Sequence, residues 1–310
     1  MTSEMSTFNL NNKSVFSNFV LGTVQIGTDY GIANQTGKPS QESAIEMIKL
    51  AWKAGITEFD TAQVYGDAEQ ILGSAFRDLG IADEVSVISK FSHAVDHLDA
   101  GAMKEAFESS LQTLGISSFK GMMLHNEALL DIWPKGLSEI FKSFRASGKM
   151  KLAGVSVYSP EKALNALELD GIDFVQIPGN LLDRRFEKSG VFEAAIANKK
   201  QIYIRSIFLQ GLLVMDLNLI PEQMRYAVPY VREIGNVSNE YSFTPAELAI
   251  GFAKLDFHNC QVLLGADSIQ HLKSNIKSWQ ADYPKEIRNK VKQVFSAVPE
   301  KVTNILLWPK

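Results

Sequence analysis

The chain has a single cysteine, Cys260, in 310 residues. An internal disulfide is therefore impossible, a cysteine-based metal cluster is excluded, and a reducing compartment suits the protein. No two glycines stand one residue apart, so the Gly-x-Gly core of the dinucleotide fingerprint of open α/β sheets is absent. No run of about 18 apolar residues is available for a membrane helix. The start, MTSEMSTFNLNNKSVFSNFVLG, is polar and lacks the cationic head and apolar middle of a signal peptide. The expectation is a cytoplasmic protein whose sequons at Asn12, Asn34 and Asn236 stay unglycosylated. Net charge is −4, without a basic stripe interleaved with aromatics or a polybasic patch. Nucleic acid and membrane surfaces are therefore not expected as partners. Metal sites look poor as well. His93 and His97 are four apart, but SKFSHAVDHLDAG reads as a polar loop. GIANQTGKPS has one residue too many between its glycines for a phosphate loop, and Pro39 stands where Ser or Thr belongs. No serine sits in a G-x-S-x-G elbow.

What is present is a regular alternation. Apolar residues make up 45% of the chain, enough for a sizeable core. Eight short runs stand out at 19–23, 57–61, 85–90, 121–125, 152–156, 174–178, 202–206 and 261–265. They are rich in Val, Ile and Leu and alternate little, as parallel strands buried on both faces do. Between them lie amphipathic segments at 43–55, 68–80, 102–115 and 137–149, each with a glycine at or near its end as a helix C-cap. Helices at 160–168 and 245–254 open on Ser159–Pro160 and Thr244–Pro245. The pattern predicts an α/β fold, a (β/α)8 barrel in one domain over 1–310, with a doubly wound open sheet as the alternative. The 207–243 connection exceeds a simple loop and carries an extra helix near 221–234. A further helical segment ends the chain.

In such barrels chemistry gathers at the C-terminal ends of the strands. The second run ends in Asp60, the third in Lys90 and the fourth in His125, and Tyr65 follows Asp60 by one turn. Each has a plain structural reading: a solvated lysine, a satisfied core histidine, an aspartate capping a helix. Three neighbouring strands ending this way predict a shared patch. In it Asp60 fixes Lys90, the ammonium lowers the Tyr65 pKa, His125 orients a carbonyl oxygen, and Tyr65 protonates it.

On the motif D-T-A-x-x-Y-G-x-x-E-x-x-L-G, complete at 60–73, the sequence resembles the aldo-keto reductase superfamily, from LGTVQIG to SIQHLKSNIKSW. The resemblance implies a catalytic tetrad of Asp60, Tyr65, Lys90 and His125, and NADPH bound extended across a barrel mouth, with NADH also open. It implies a small-molecule carbonyl substrate, reduced with Tyr65 as proton donor. Implied cofactor contacts run along the strand ends: Gly22, Thr23, Asp60, Ser156 and Gln176; Arg205, Ser206, Phe208 and Gln210; and Gly265, Ser268, His271 and Asn275. Val157 and Gly179 replace the family's usual Asn and Tyr, and Arg205 stands where an aromatic often stacks on the nicotinamide. Arg184 and Arg185 offer either a carboxylate or phosphate reader or plain ion pairs. The stretch RSIFLQGLL is similar to bacterial members associated with sugar metabolism. Two other classes share the scaffold: a cofactor-holding regulatory subunit, and a cofactor-free lyase or epimerase. The natural substrate, direction of reaction and oligomeric state are not legible.

Overall fold

The structure is a computed structural model and describes residues 15–309. The polar start up to residue 14, with the Asn12 sequon and most of the stretch read for a signal peptide, lies outside the described residues, as does Lys310. Eight strands are present: β1 (Phe19–Gly22), β2 (Glu58–Asp60), β3 (Ser86–Lys90), β4 (Phe119–Leu124), β5 (Met150–Ser156), β6 (Phe174–Pro178), β7 (Gln201–Arg205) and β8 (Gln261–Gly265). Each pairs in parallel with the next, and β8 closes on β1 through Phe19–Val262 to Gly22–Gly265. The sheet is a closed barrel, and the open-sheet alternative falls.

The helices between strands cover the barrel's outer face, as their apolar stripes require. Helix Gln41–Ala54 starts on Ser40, whose hydroxyl accepts from Ser43 N, and stops at Gly55 in the left-handed region. Helices Ala68–Leu79 and Ala100–Leu114 stop likewise at Gly80 and Gly115. Two helices differ by three residues or more from the sequence reading. Helix Leu137–Ala146 ends before 149, because Ser147 caps it and Gly148, at φ 76°, turns the chain into β5. In the β7 connection the α-helix is Val228–Glu240, not 221–234. Pro229 lacks an N–H and is accommodated in a helix's first turn, so the helix starts there. The preceding Glu222–Ala227 is a 3-10 turn. Helices Ile269–Gln280, Glu286–Val294 and Glu300–Thr303 follow β8. Among the described residues no helix is long and apolar enough to cross a membrane.

Two cores result. The larger lies between barrel and helices. The smaller fills the barrel with Val20, Ile88, Met123, Phe174, Tyr203 and Leu263. Lower in the barrel Tyr203 donates to Glu58 at 2.8 Å, and Glu58 pairs with Lys120 at 2.5 Å. Strand side chains alternate between faces. Two residues beyond Val20, Glu58, Ile88, Met123, Phe174, Tyr203 and Leu263, the next inward positions are Gly22, Asp60, Lys90, His125, Gln176, Arg205 and Gly265. The barrel's packing thus aims these residues at its mouth.

Candidate active site

At that mouth Lys90, 1% exposed, donates to Asp60 Oδ1 at 2.5 Å and to the Thr61 carbonyl at 2.8 Å. The second Asp60 oxygen accepts from Gln176 Nε2 at 2.8 Å, across the barrel from β6. A buried ion pair is tolerable only with its remaining valences met, and here both carboxylate oxygens are engaged. The Lys90 ammonium lies over the Tyr65 ring, 4.8 Å from its centroid. The His125 ring meets Tyr65 edge-on at 5.8 Å and stacks on His93 at 5.0 Å. Asp60, Tyr65, Lys90 and His125 are therefore brought together as the strand ends suggest.

Tyr65 reaches this point through a short turn. Its N–H donates to Ala62 O, and its carbonyl accepts from Ala68 N at the start of the next helix. Glu69, in that helix, is buried and accepts from Ser89 at 2.7 Å and Ser110 at 3.0 Å, tying the helix to β3.

The electrostatics correct one expectation. Burial pushes the Tyr65 phenol above its ordinary value, the Asp60 carboxylate adds to the rise, and the Arg205 guanidinium opposes it. The resting tyrosine is a weaker acid than the free side chain, not a stronger one. The hydrogen bonds of Lys90 run to Asp60 and Thr61, and burial lowers its own pKa against the pull of Asp60. His125 is held down to about 3 by burial first and then by the charges of Lys90, His93 and Arg205. It is neutral near pH 7, with one ring N–H to donate.

Beside this group runs a cleft of about 410 Å³. Of the residues implied for the cofactor, Gly22, Thr23, Asp60, Gln176, Arg205, Ser206, Phe208, Gln210, Gly265, His271 and Asn275 line it, together with Tyr65. Lys90, His125, Ser156 and Ser268 do not. Ser156 is buried, and Ser268 caps a helix by accepting from His271 N at 3.2 Å. Thr23 donates to Asp60 O at 2.9 Å, and Asn275 to Gly265 O at 3.1 Å. The exposed His271 pairs with Asp267 at 2.5 Å. Ser206, Leu209 and Gln210, none of them glycine, take positive φ, a backbone strain that Ser206 and Gln210 bring to the cleft wall. Arg184 and Arg185 turn out to be structural. Arg184 donates to Leu181 O at 2.8 Å, and Arg185 pairs with Asp183 at 2.8 Å and Glu300 at 3.1 Å.

A family model described as "Aldo/keto reductase family" matches residues 18–295. The chain belongs to the aldo/keto reductase family. Among curated proteins this reductase-family chain is 28% identical over 207 residues to aldo-keto reductase YhdN of Bacillus subtilis (strain 168). That match spans 62% of the chain and 59% of YhdN, so less than two thirds of that relative's length. Over 281 residues it is 22% identical to aldo-keto reductase str7 of Strobilurus tenacellus, covering 83% of this chain and 81% of str7. Its fold is similar to the crystal structure of an aldo-keto reductase from Klebsiella pneumoniae in complex with NADPH. The TM-score is 0.69 at 21% identity, with 93% of each chain covered.

Three site residues escaped the sequence reading. Gln25 lines the cleft and lies flat against Gly265: a Cβ on that glycine would stand 2.3 Å from Gln25 Oε1. Tyr158 carries the Arg205 guanidinium on its ring at 4.1 Å. His93, which in the sequence pairs only with His97 as a poor metal site, stacks on His125 at 5.0 Å. A polar residue in the turn after β1 was the available signal for Gln25. Nothing in the sequence marks Tyr158, whose contact with β7 reaches across β6.

Proposed function

We propose that this chain reduces an aldehyde or ketone to an alcohol with NADPH, with Tyr65 as the proton donor. The observation that carries the reading is the convergence of Asp60, Lys90, Tyr65 and His125 beside a cleft of about 410 Å³. The residues fit a dinucleotide. Gln25 Oε1 is a buried acceptor without a partner among the described residues, suited to an amide or hydroxyl donor. Gln176 is suited to the carboxamide, the Ser206–Gly211 backbone with Phe208 and Gln210 to the pyrophosphate, and His271 and Asn275 to the adenosine end. Gly22, Thr23 and Gly265 give a low wall. A fold neighbour in the family is a complex with NADPH, which supports the same choice.

When bound, the nicotinamide supplies hydride to the carbonyl carbon. Tyr65 keeps its proton at rest because its pKa is raised, and releases it onto the oxygen as negative charge develops there. His125, neutral, donates a hydrogen bond to the same oxygen. Lys90, held by Asp60, lies over the phenol ring and stabilises the phenolate left behind. The test is NADPH titration by fluorescence followed by turnover of an aldehyde panel. Tyr65→Phe is expected to keep NADPH affinity and lose about 10²–10⁴-fold in kcat, the share of a positioned general acid. Full activity in Tyr65→Phe would sink the mechanism.

A further inference from the structure

Arg205 is out of keeping with the other guanidiniums. Of those that are not exposed, Arg145 pairs with Asp173, Arg184 with Asp256 and Arg185 with Asp183. Arg205 has no acid within ion-pair distance among the described residues. Its hydrogen bonds go to the Val157 carbonyl at 3.3 Å and to Ser206 Oγ at 3.3 Å. Its flat face lies on Tyr158. The Val157 and Tyr158 contacts draw the group across β6 toward the end of β5. The nearby carboxylate, Asp60, is committed to Lys90 and Gln176. Asp267 stands beyond β8 and is bound by His271. With Lys90 and Asp60 cancelling, the reacting end of the cleft holds one uncompensated, half-buried positive charge. It lines the same cleft as Tyr30, Asp60 and Tyr65, where a carbonyl would react. A partly desolvated charge favours an opposite partner, and a planar guanidinium fixed by stacking is pre-organised for an oxyanion.

We propose that Arg205 is a specificity residue for a carbonyl substrate bearing a carboxylate or phosphate group. This rests on the reductase reading above and narrows its substrate class. The cofactor's pyrophosphate is not the natural partner, because the backbone suited to it lies beyond Ser206, whereas the guanidinium is stacked on Tyr158, which follows β5.

The experiment uses two matched pairs with NADPH: succinic semialdehyde against butanal, and glyceraldehyde 3-phosphate against glyceraldehyde. The wild type is expected to favour the anionic member of at least one pair by about tenfold or more in kcat/KM, the scale of one charge-assisted hydrogen bond. The pair that discriminates names the anion. In Arg205→Gln the anionic-to-neutral ratio should fall by about the same factor, and Arg205→Lys should recover part of it. Reading the ratio cancels any loss common to both substrates. Equal use of both members in both pairs by the wild type overturns the inference and leaves the reductase reading standing, whatever the variants do. An unchanged ratio in Arg205→Gln also overturns it. Bound NADPH with no turnover of any of the four compounds sinks the reductase reading and the inference with it.

Discussion

His125 shares its ring between an exposed neighbour, His93, and the phenol of Tyr65, and its burial there keeps it neutral. With its pKa lowered from 6.5 to about 3 by burial and nearby cations, the folded protein binds fewer protons there than the unfolded chain. The associated stability is fully present above about pH 6.5 and is lost as pH falls toward about 3. Equilibrium urea unfolding between pH 7 and pH 4 is expected to show a smaller loss of midpoint in His125→Gln than in the wild type. Parallel pH profiles for the two proteins would refute the assignment. The comparison with the variant matters because carboxylates add their own acid slope. At the same scale, the pairing of Asp60 with Lys90 was readable because each ends a short apolar run. The direction of the Tyr65 shift was not, since burial, the larger effect, has no signature in a string of letters.

Between elements, the first and second strand–helix turns touch through bare backbone. A Cβ on Gly27 would stand 1.9 Å from the Tyr65 carbonyl, and one on Gly66, at φ 56°, would stand 2.1 Å from the Gly27 carbonyl. The turn after β1 therefore sets where Tyr65 sits. Gly27→Ala forces the two turns apart, an overpacking cost of about 1–3 kcal/mol. Displacing Tyr65, the proposed proton donor, by about 1 Å is worth roughly 100-fold in rate. The expected outcome is a kcat loss of that order with NADPH affinity less affected, measured by steady-state kinetics and titration. An unchanged kcat would show that the contact does not position Tyr65. The eight strands and most helices were legible from apolar runs, caps and terminal glycines. The Gly27–Gly66 contact was not, since it depends on two turns of different strands meeting. Nor was the start of the Val228–Glu240 helix, where Pro229 outweighed the amphipathic pattern.

Across the whole molecule, the barrel's interior packing and its mouth are one continuous set of side chains. Phe174 and Gln176 share the inward face of β6, and Gln176 holds Asp60 from across the barrel. Phe174 has room only because position 154 is glycine, where a Cβ would lie 2.4 Å from its ring. Gly154→Ala must therefore move Phe174, and the interior is close-packed enough to pass that shift along the strand. The variant is expected to lose about 1–3 kcal/mol of stability. Adding Phe174→Leu, which removes ring atoms at the point of collision, should return part of that loss. Because the two residues are in contact, their effects should be non-additive by about 0.5–3 kcal/mol in a double-mutant cycle of unfolding free energies. Simple additivity would show that the interior relaxes around the new methyl group without moving Phe174. If Phe174 does move, Gln176 moves with it, and the proposed reductase activity should fall in Gly154→Ala and recover in the double variant in step with stability.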